Sequence, residues 1–238
     1  MRQIKVRMGI STFNYSYLEL YKKLGFKNPD GWVRALSIPK ISTQNTLILG
    51  CGTGNLLVPL FDHGYNVTGI DCNPMMCEFL RKIRHGVNIV ESRIEKWNNT
   101  KQFDFVLAPS CLLNNCINKT RKGIIARLAN LLNCGAKVGF ELLDWDFFRL
   151  KSQYIESNIE VLVEKLNHEK RLMKWQVKYK FKDVEFIENV SSRLFTLVEL
   201  KRLLKPFGLS YEKSVACSTI TTIVIFACEG NSSQFSGT

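Results

Sequence analysis

The spacing of hydrophobic residues changes several times along this chain, and each change marks an expected element. Within residues 13–26, Tyr17, Leu20, Tyr21 and Leu24 recur three or four apart, as on one face of a helix, and Gly25 closes the segment. A second short helix is expected over 32–36. Thr46-Leu47-Ile48-Leu49 is instead a continuous apolar run ending in glycines, the pattern of a strand buried on both faces of a parallel sheet. From there the two periods alternate. A helix over 55–63 is closed by Gly64, and a strand over 66–70 runs into Asp71. Asn73 as cap and Pro74 at the first position open the next helix, which Gly86 ends. Strands follow at 87–90 and 103–108, then a helix near 121–132 and a strand at 136–142. Short parallel strands need helical crossovers, so this βαβαβ succession predicts a doubly wound α/β sheet.

Residues 150–190 break the rhythm. The stretches 159–166, 172–181 and 184–190 alternate as antiparallel strands do, with 167–170 as a turn, and read as a β excursion inserted beside the sheet. Thr196 and Glu199 then form a capping box that leads a helix ending near Pro206-Phe207-Gly208. Strands at 211–216 and 219–227 follow with almost nothing between them, which forces them to pair antiparallel. The chain divides into an N-terminal helical lid at 1–44, a main α/β domain at 45–149 and 191–230, the excursion at 150–190, and a tail at 231–238.

Composition adds exclusions. The chain has 238 residues, of which 45% are hydrophobic, enough for an ordinary globular core. No run approaches the roughly 20 apolar residues of a spanning helix, and the N-terminus lacks the apolar block of a secretory signal, so a cytoplasmic protein without a membrane segment is expected. Eight cysteines contain no C-x-x-C pair and several lie in apolar runs, so neither disulfides nor a metal site is expected. The net charge of +12 suits nucleic acid, an anionic surface or a phosphate-bearing substrate. A solvated lysine-rich surface explains it equally well, because no run of five like charges occurs.

The chemistry concentrates after the first buried strand. Glycines leaving a strand and entering a helix let a ligand approach the backbone and aim helix amides at it. A dinucleotide fingerprint would need glycine at 55 or 57, where Asn55 and Leu57 stand; the glycines fall at 50, 52 and 54 instead. This spacing points away from a pyrophosphate and toward a ligand lying across the turn. Asp71, at the end of the next strand, suits both hydroxyls of a ribose, although it would also favour the N-terminus of the helix that Asn73 and Pro74 open.

These residues carry a resemblance. Residues 46–55, with Gly50-Cys51-Gly52-Thr53-Gly54, resemble the first motif of class I S-adenosylmethionine (SAM)-dependent methyltransferases, and 67–71 resemble the second. Residues 103–109 are similar to the fourth-strand motif, 131–138 to the turn into strand five, and 193–200 with 207–209 to the helix before strand six of small-molecule members. The resemblance implies a Rossmann-like, seven-stranded, mostly parallel sheet with its last strand antiparallel, and SAM as cofactor, with S-adenosylhomocysteine as product. It implies Gly50, Cys51, Gly52, Gly54 and Asn55 at the methionine end, Asp71 on the ribose, and Cys72 and Met76 against the adenine, with Ser92, Arg93 and Ile94 at its other edge. Ala108, Pro109 and Leu113 would border the sulfonium and the substrate entrance, and Tyr17 and Tyr21 would close over the cofactor. Two positions depart from the family: Ile48 and Arg93 stand where acidic residues are usual.

Methyl transfer asks the protein chiefly to align the reacting groups and exclude water, and a general base is optional. Glu141 and Asp144, with Asp146, follow strand five and are the candidates for a base or for substrate positioning, since loops at the carboxyl ends of parallel strands line the cleft. The segment Ala108-Pro109-Ser110-Cys111 lacks the Asn/Asp-Pro-Pro-aromatic motif of base N-methyltransferases. With the excursion at 150–190, this resembles glycine and amino-sugar N-methyltransferases. The expected partner is a small molecule, anionic or ring-bearing, methylated on an amine nitrogen, with an oxygen acceptor, a macromolecular acceptor such as RNA, or a non-catalytic binding protein as alternatives. A monomer and a homodimer are equally compatible.

Overall fold

The computed structural model describes residues 4–8, 29–40, 43–116, 118–143, 153–156, 159–167, 171–181, 184–217 and 221–229. The chain begins with β1 (Ile4–Met8) and α1 (Asp30–Leu36). Alternation follows through β2 (Thr46–Leu49), α2 (Leu57–Asp62), β3 (Val67–Asp71), α3 (Pro74–Ile83), β4 (Asn88–Glu91) and β5 (Phe103–Ala108). Next come α4 (Leu112–Asn115), α5 (Asn118–Ala129) and β6 (Leu132–Leu143). The second half holds β7 (Gln153–Glu156), β8 (Ile159–Asn167), β9 (Leu172–Phe181), β10 (Val184–Arg193), α6 (Leu197–Leu204), β11 (Leu209–Ala216) and β12 (Thr221–Cys228).

Seven strands form the main sheet in the order β11-β12-β6-β5-β2-β3-β4. Neighbours from β6 to β4 pair parallel, and β12 runs antiparallel to both β6 and β11. The apolar run of β2 explains why the sheet is covered on both sides. Leu47 and Leu49 enter a core with Ile124, Ile125 and Leu128 of α5 and Leu200 and Leu204 of α6. Ile48, one residue out of phase, enters the opposite core with Trp32 and Leu36 of α1 and Leu57 and Leu60 of α2. Helix α1 lies so close that a Cβ on Gly139 of β6 would stand 2.9 Å from the Trp32 ring.

The excursion is a second sheet, ordered β1-β10-β9-β8-β7, and its last strand reaches Arg193 rather than 190. Its edge corrects the reading of 1–44 as a helical lid. Ile4–Met8 pairs parallel with β10, from Ile4 opposite Val184 to Met8 opposite Glu188. The period-two alternation of Ile4, Val6 and Met8 with Lys5 and Arg7 is a strand signal that the charge of the segment hid. Helix α1 sits in the main core, and the helix expected over 13–26, with Tyr17 and Tyr21, lies outside the described residues.

Helix α4, a single turn where the sequence pattern predicts no element, joins the two sheets. The Asn114 amide donates to the Arg193 carbonyl at 2.7 Å, and its oxygen accepts from the Leu143 amide at 3.2 Å. The Ser192 hydroxyl donates to Asn115 at 2.6 Å and accepts from the Trp175 indole at 2.9 Å. Among the described residues no helix is long and apolar enough to cross a membrane.

The capping box stands as expected: the Glu199 amide donates to the Thr196 hydroxyl and the Thr196 amide to the Glu199 carboxylate. Thr196→Ala should lower the unfolding free energy by about 1 kcal/mol, the usual value of a lost cap. Urea denaturation checks it, and an unchanged midpoint would show that the box adds nothing.

Candidate active site

Strands β2, β3 and β5 are adjacent and parallel, so their carboxyl ends open on one edge, and the candidate residues collect there. The turn after β2 is built on positive φ angles, +60° at Gly50, +54° at Gly52 and +85° at Gly54. Two of these glycines serve different ends. A Cβ on Gly54 would fall 2.3 Å from Leu80, so this glycine lets α3 pack against the turn. A Cβ on Gly52 would meet only the Gly50 carbonyl, at 4.0 Å, so the outer side of the turn is open. Cys51 between them is buried, and its amide donates to the Ile70 carbonyl at 3.1 Å.

Asp71 ties the turns together. One carboxylate oxygen accepts from the Gly52 amide at 2.8 Å and the other from the Asn73 amide at 2.9 Å. An ionised carboxylate offers about four acceptor sites, so roughly two remain for a ligand. Asn73 caps α3 by accepting from the Met75 amide at 3.0 Å. The Asp71 carbonyl receives the Ser92 amide at 2.9 Å, which brings the turn 92–94 beside this edge. Cys72 is exposed there, while Met76 and Ile94 are buried at 3% and 7% exposure and face the interior. Arg93 is partnered: its guanidinium donates to Glu95 at 2.8 Å. Ile48 is fully buried in the apolar core, where a carboxylate would be left without water.

Beyond β5 the backbone is strained. Ser110 and Cys111 are consecutive non-glycine residues with φ of +56°, a conformation costing about 1–2 kcal/mol per residue. The Cys111 carbonyl then accepts the amides of Asn114 and Asn115 and starts α4. Glu141, on β6 and only 4% exposed, reaches under this turn: one oxygen accepts from the Ser110 amide at 2.7 Å and the other from the Thr221 hydroxyl at 3.0 Å. Leu113 turns into the core, and Leu112 is the side chain beside the glycine turn, 3.3 Å from where a Cβ on Gly50 would lie. Arg121 is buried: its guanidinium donates to the Leu113 and Cys116 carbonyls at the end of α4 and lies 4.9 Å from the Phe195 ring centroid. Burial lowers its pKa.

The sequence-selected residues Gly50, Cys51, Gly52, Gly54, Asn55, Asp71, Cys72, Ser92, Arg93, Ala108 and Pro109 thus all belong to the ends of β2 to β5. Asp144, Tyr17 and Tyr21 lie outside the described residues. Ser110, Leu112 and Arg121 were not singled out from sequence. Neither Ser110 nor Cys111 is a residue type that announces a left-handed turn, and Arg121 reads as an ordinary surface cation until α4 is known to need a cap. Among the described residues no group of three or more His, Cys, Asp or Glu is placed to hold a metal ion.

Residues 47–135 match the model of a methyltransferase domain family. No curated protein matches the chain. Similar solved structures include a SAM-dependent methyltransferase from Clostridium acetobutylicum, at TM-score 0.67 and 18% identity over 90% of this chain and 98% of that one. CalS10, an amino pentose methyltransferase from Micromonospora echinaspora, gives a TM-score of 0.68 and 17% identity over 92% and 98% of the two chains. The sugar N-methyltransferase KedS8 from Streptoalloteichus gives 0.69 and 14% identity over 91% and 93%. Residues 47–135 thus look like a methyltransferase domain, and the seven-stranded sheet has the fold of SAM-dependent methyltransferases.

Two thiols beneath the site report on its burial. Burial first, and then the negative charge of Asp71, push the Cys77 thiol up from 9.0 to about 11, and the same two causes raise Cys51 well above its ordinary value. The unfolded chain releases these protons first, near pH 8.5 or so. It therefore binds fewer protons than the native chain between roughly pH 9 and 11, and stability falls as pH rises through that window. Cys77→Ala should make the fall of the urea midpoint across this window shallower; identical slopes for variant and parent would refute the shift.

Proposed function

We propose that this SAM-dependent methyltransferase passes its methyl group to a small molecule, to an amine nitrogen, at the open edge of β2, β3 and β5. The observation that carries the cofactor site is the Asp71 carboxylate, anchored by two main-chain amides and set beside a glycine turn whose outer side is open. That donor and acceptor set fits the cofactor. Main-chain groups of Gly50, Cys51, Gly52, Gly54 and Asn55 would hold the methionine end, and the free acceptor sites of Asp71 the ribose hydroxyls. Cys72, Ser92 and Arg93 would edge the adenine, backed from inside by Met76 and Ile94. Ala108 and Pro109 would border the methyl port, with Leu113 behind them.

The departures at Ile48 and Arg93 shape this reading. A buried isoleucine offers nothing to the cofactor's ammonium, so main-chain carbonyls must serve that end. The charge of Arg93 is taken up by Glu95, which removes a repulsive neighbour of a cationic ligand.

When bound, SAM supplies an electrophilic methyl group on a sulfonium. The chain's own task is to hold the acceptor in line with that bond and to keep water out. The second sheet supports a small acceptor, since it stands against α4 at the side of the port and offers a wall to a pocket. Similarity to a sugar N-methyltransferase supports nitrogen as the acceptor atom. An amine must arrive there unprotonated, and Asp144 is the candidate to receive its proton.

Calorimetry should show binding of both SAM and S-adenosylhomocysteine, and Asp71→Ala should weaken both by roughly tenfold to 150-fold, the factor for a lost charge-assisted contact of about 1.5–3 kcal/mol. An unchanged dissociation constant would remove Asp71 from the site. Incubation of cell extract with isotopically labelled methyl donor should place label in the small-molecule fraction. Label confined to RNA, with RNA affinity falling steeply as salt rises, would replace this acceptor class with nucleic acid.

A further inference from the structure

We infer that Glu141 is a positioning residue of the methyl port: its buried carboxylate holds the Ser110 amide, and through it the left-handed turn at 110–111. The inference rests on the cofactor site proposed above and gives Glu141 a role other than that of a base.

Three observations converge on it. The turn is strained at two successive positions, Ser110 and Cys111, neither of them glycine, so something must hold it. Glu141 is 4% exposed, and its 2.7 Å bond from the Ser110 amide spans 31 positions, tying β6 to the turn rather than closing a local loop. Its other oxygen accepts the Thr221 hydroxyl of β12 at 3.0 Å and faces the Cys217 thiol at 3.8 Å. The carboxylate is thereby fixed from the main sheet on one side and grips the turn on the other. The turn in turn sets the port. Cys111 starts α4, and the next residue, Leu112, lies against Gly50, so a shift of the turn displaces a side chain resting on the glycine loop.

A base and a clamp differ in which property of the side chain matters. A clamp needs an acceptor oxygen toward Ser110; a base needs a titratable carboxylate. Glu141→Gln keeps the acceptor, and the Thr221 hydroxyl, which can donate or accept, turns to accept from the new amide. Glu141→Leu keeps the approximate size and removes the acceptor.

SAM and S-adenosylhomocysteine differ only in the methyl group and charge at sulfur. The ratio of their dissociation constants, measured by calorimetry on the full chain, therefore reports the port and needs no acceptor. A general loss of fold weakens both ligands alike and leaves the ratio in place. Glu141→Gln should keep the parent ratio, and Glu141→Leu should shift it by roughly tenfold, the size of one lost hydrogen-bonded contact. Adding Ser110→Gly to Glu141→Leu should return the ratio toward the parent's, because glycine takes the left-handed conformation unaided. If Glu141→Leu gives no cooperative melt, Glu141→Asp replaces it, with the acceptor withdrawn by one methylene and the same shift expected. An unchanged ratio in the acceptor-deficient variant, or a Gln variant as altered as the Leu variant, overturns the inference. A parent protein that binds neither ligand overturns the cofactor reading itself, and this inference with it.

Discussion

A strand with no solvent on either face must find apolar partners above and below, and β2 imposes that demand on the rest of the chain. Leu47 and Leu49 point one way and Ile48 the other, so helices are needed on both sides of the sheet. Helical crossovers between parallel strands supply them, and the same parallel arrangement brings the carboxyl ends of β2, β3 and β5 to one edge. The position of the site is a consequence of that burial. So is the isoleucine at 48, which completes the second core.

At the edge thus formed, two carboxylates do related work by different means. Asp71 remains partly open, and its bonds to Gly52 and Asn73 leave acceptor sites directed outward. Glu141 is closed in, and its bonds face only the protein. One is suited to ligand recognition and the other to holding backbone in a conformation that it would not adopt alone. Both act through main-chain amides, the donors that every loop supplies whatever its side chains.

Much of this was readable from residue order, and the unread parts share a cause. The glycine spacing at 50, 52 and 54, the aspartate closing β3, the Asn73-Pro74 helix start and the Thr196–Glu199 capping box are local signals, decided within a few residues. Strand β1 is not legible locally because its partner lies about 180 positions away, Ile4 opposite Val184, and its alternation is only five residues long. Helix α4 was missed because it has a single turn and depends on Arg121, Arg193 and Leu143 for the bonds at its ends and sides. That Leu112 lies against Gly50 while Leu113 is buried in the core was unreadable for the same reason. Which of two adjacent leucines faces outward depends on the left-handed turn before them, and nothing in Ser110 or Cys111 as residue types foretells it.

The amide of Asn114 uses its donor on the second sheet and its acceptor on the main one, with no third orientation that serves both. The two sheets are thus tied at one buried carboxamide. The second sheet cannot tilt against the main one without carrying α4, and the turn before it, along. Variation in the second sheet would therefore run through its side chains, with its placement left as it stands.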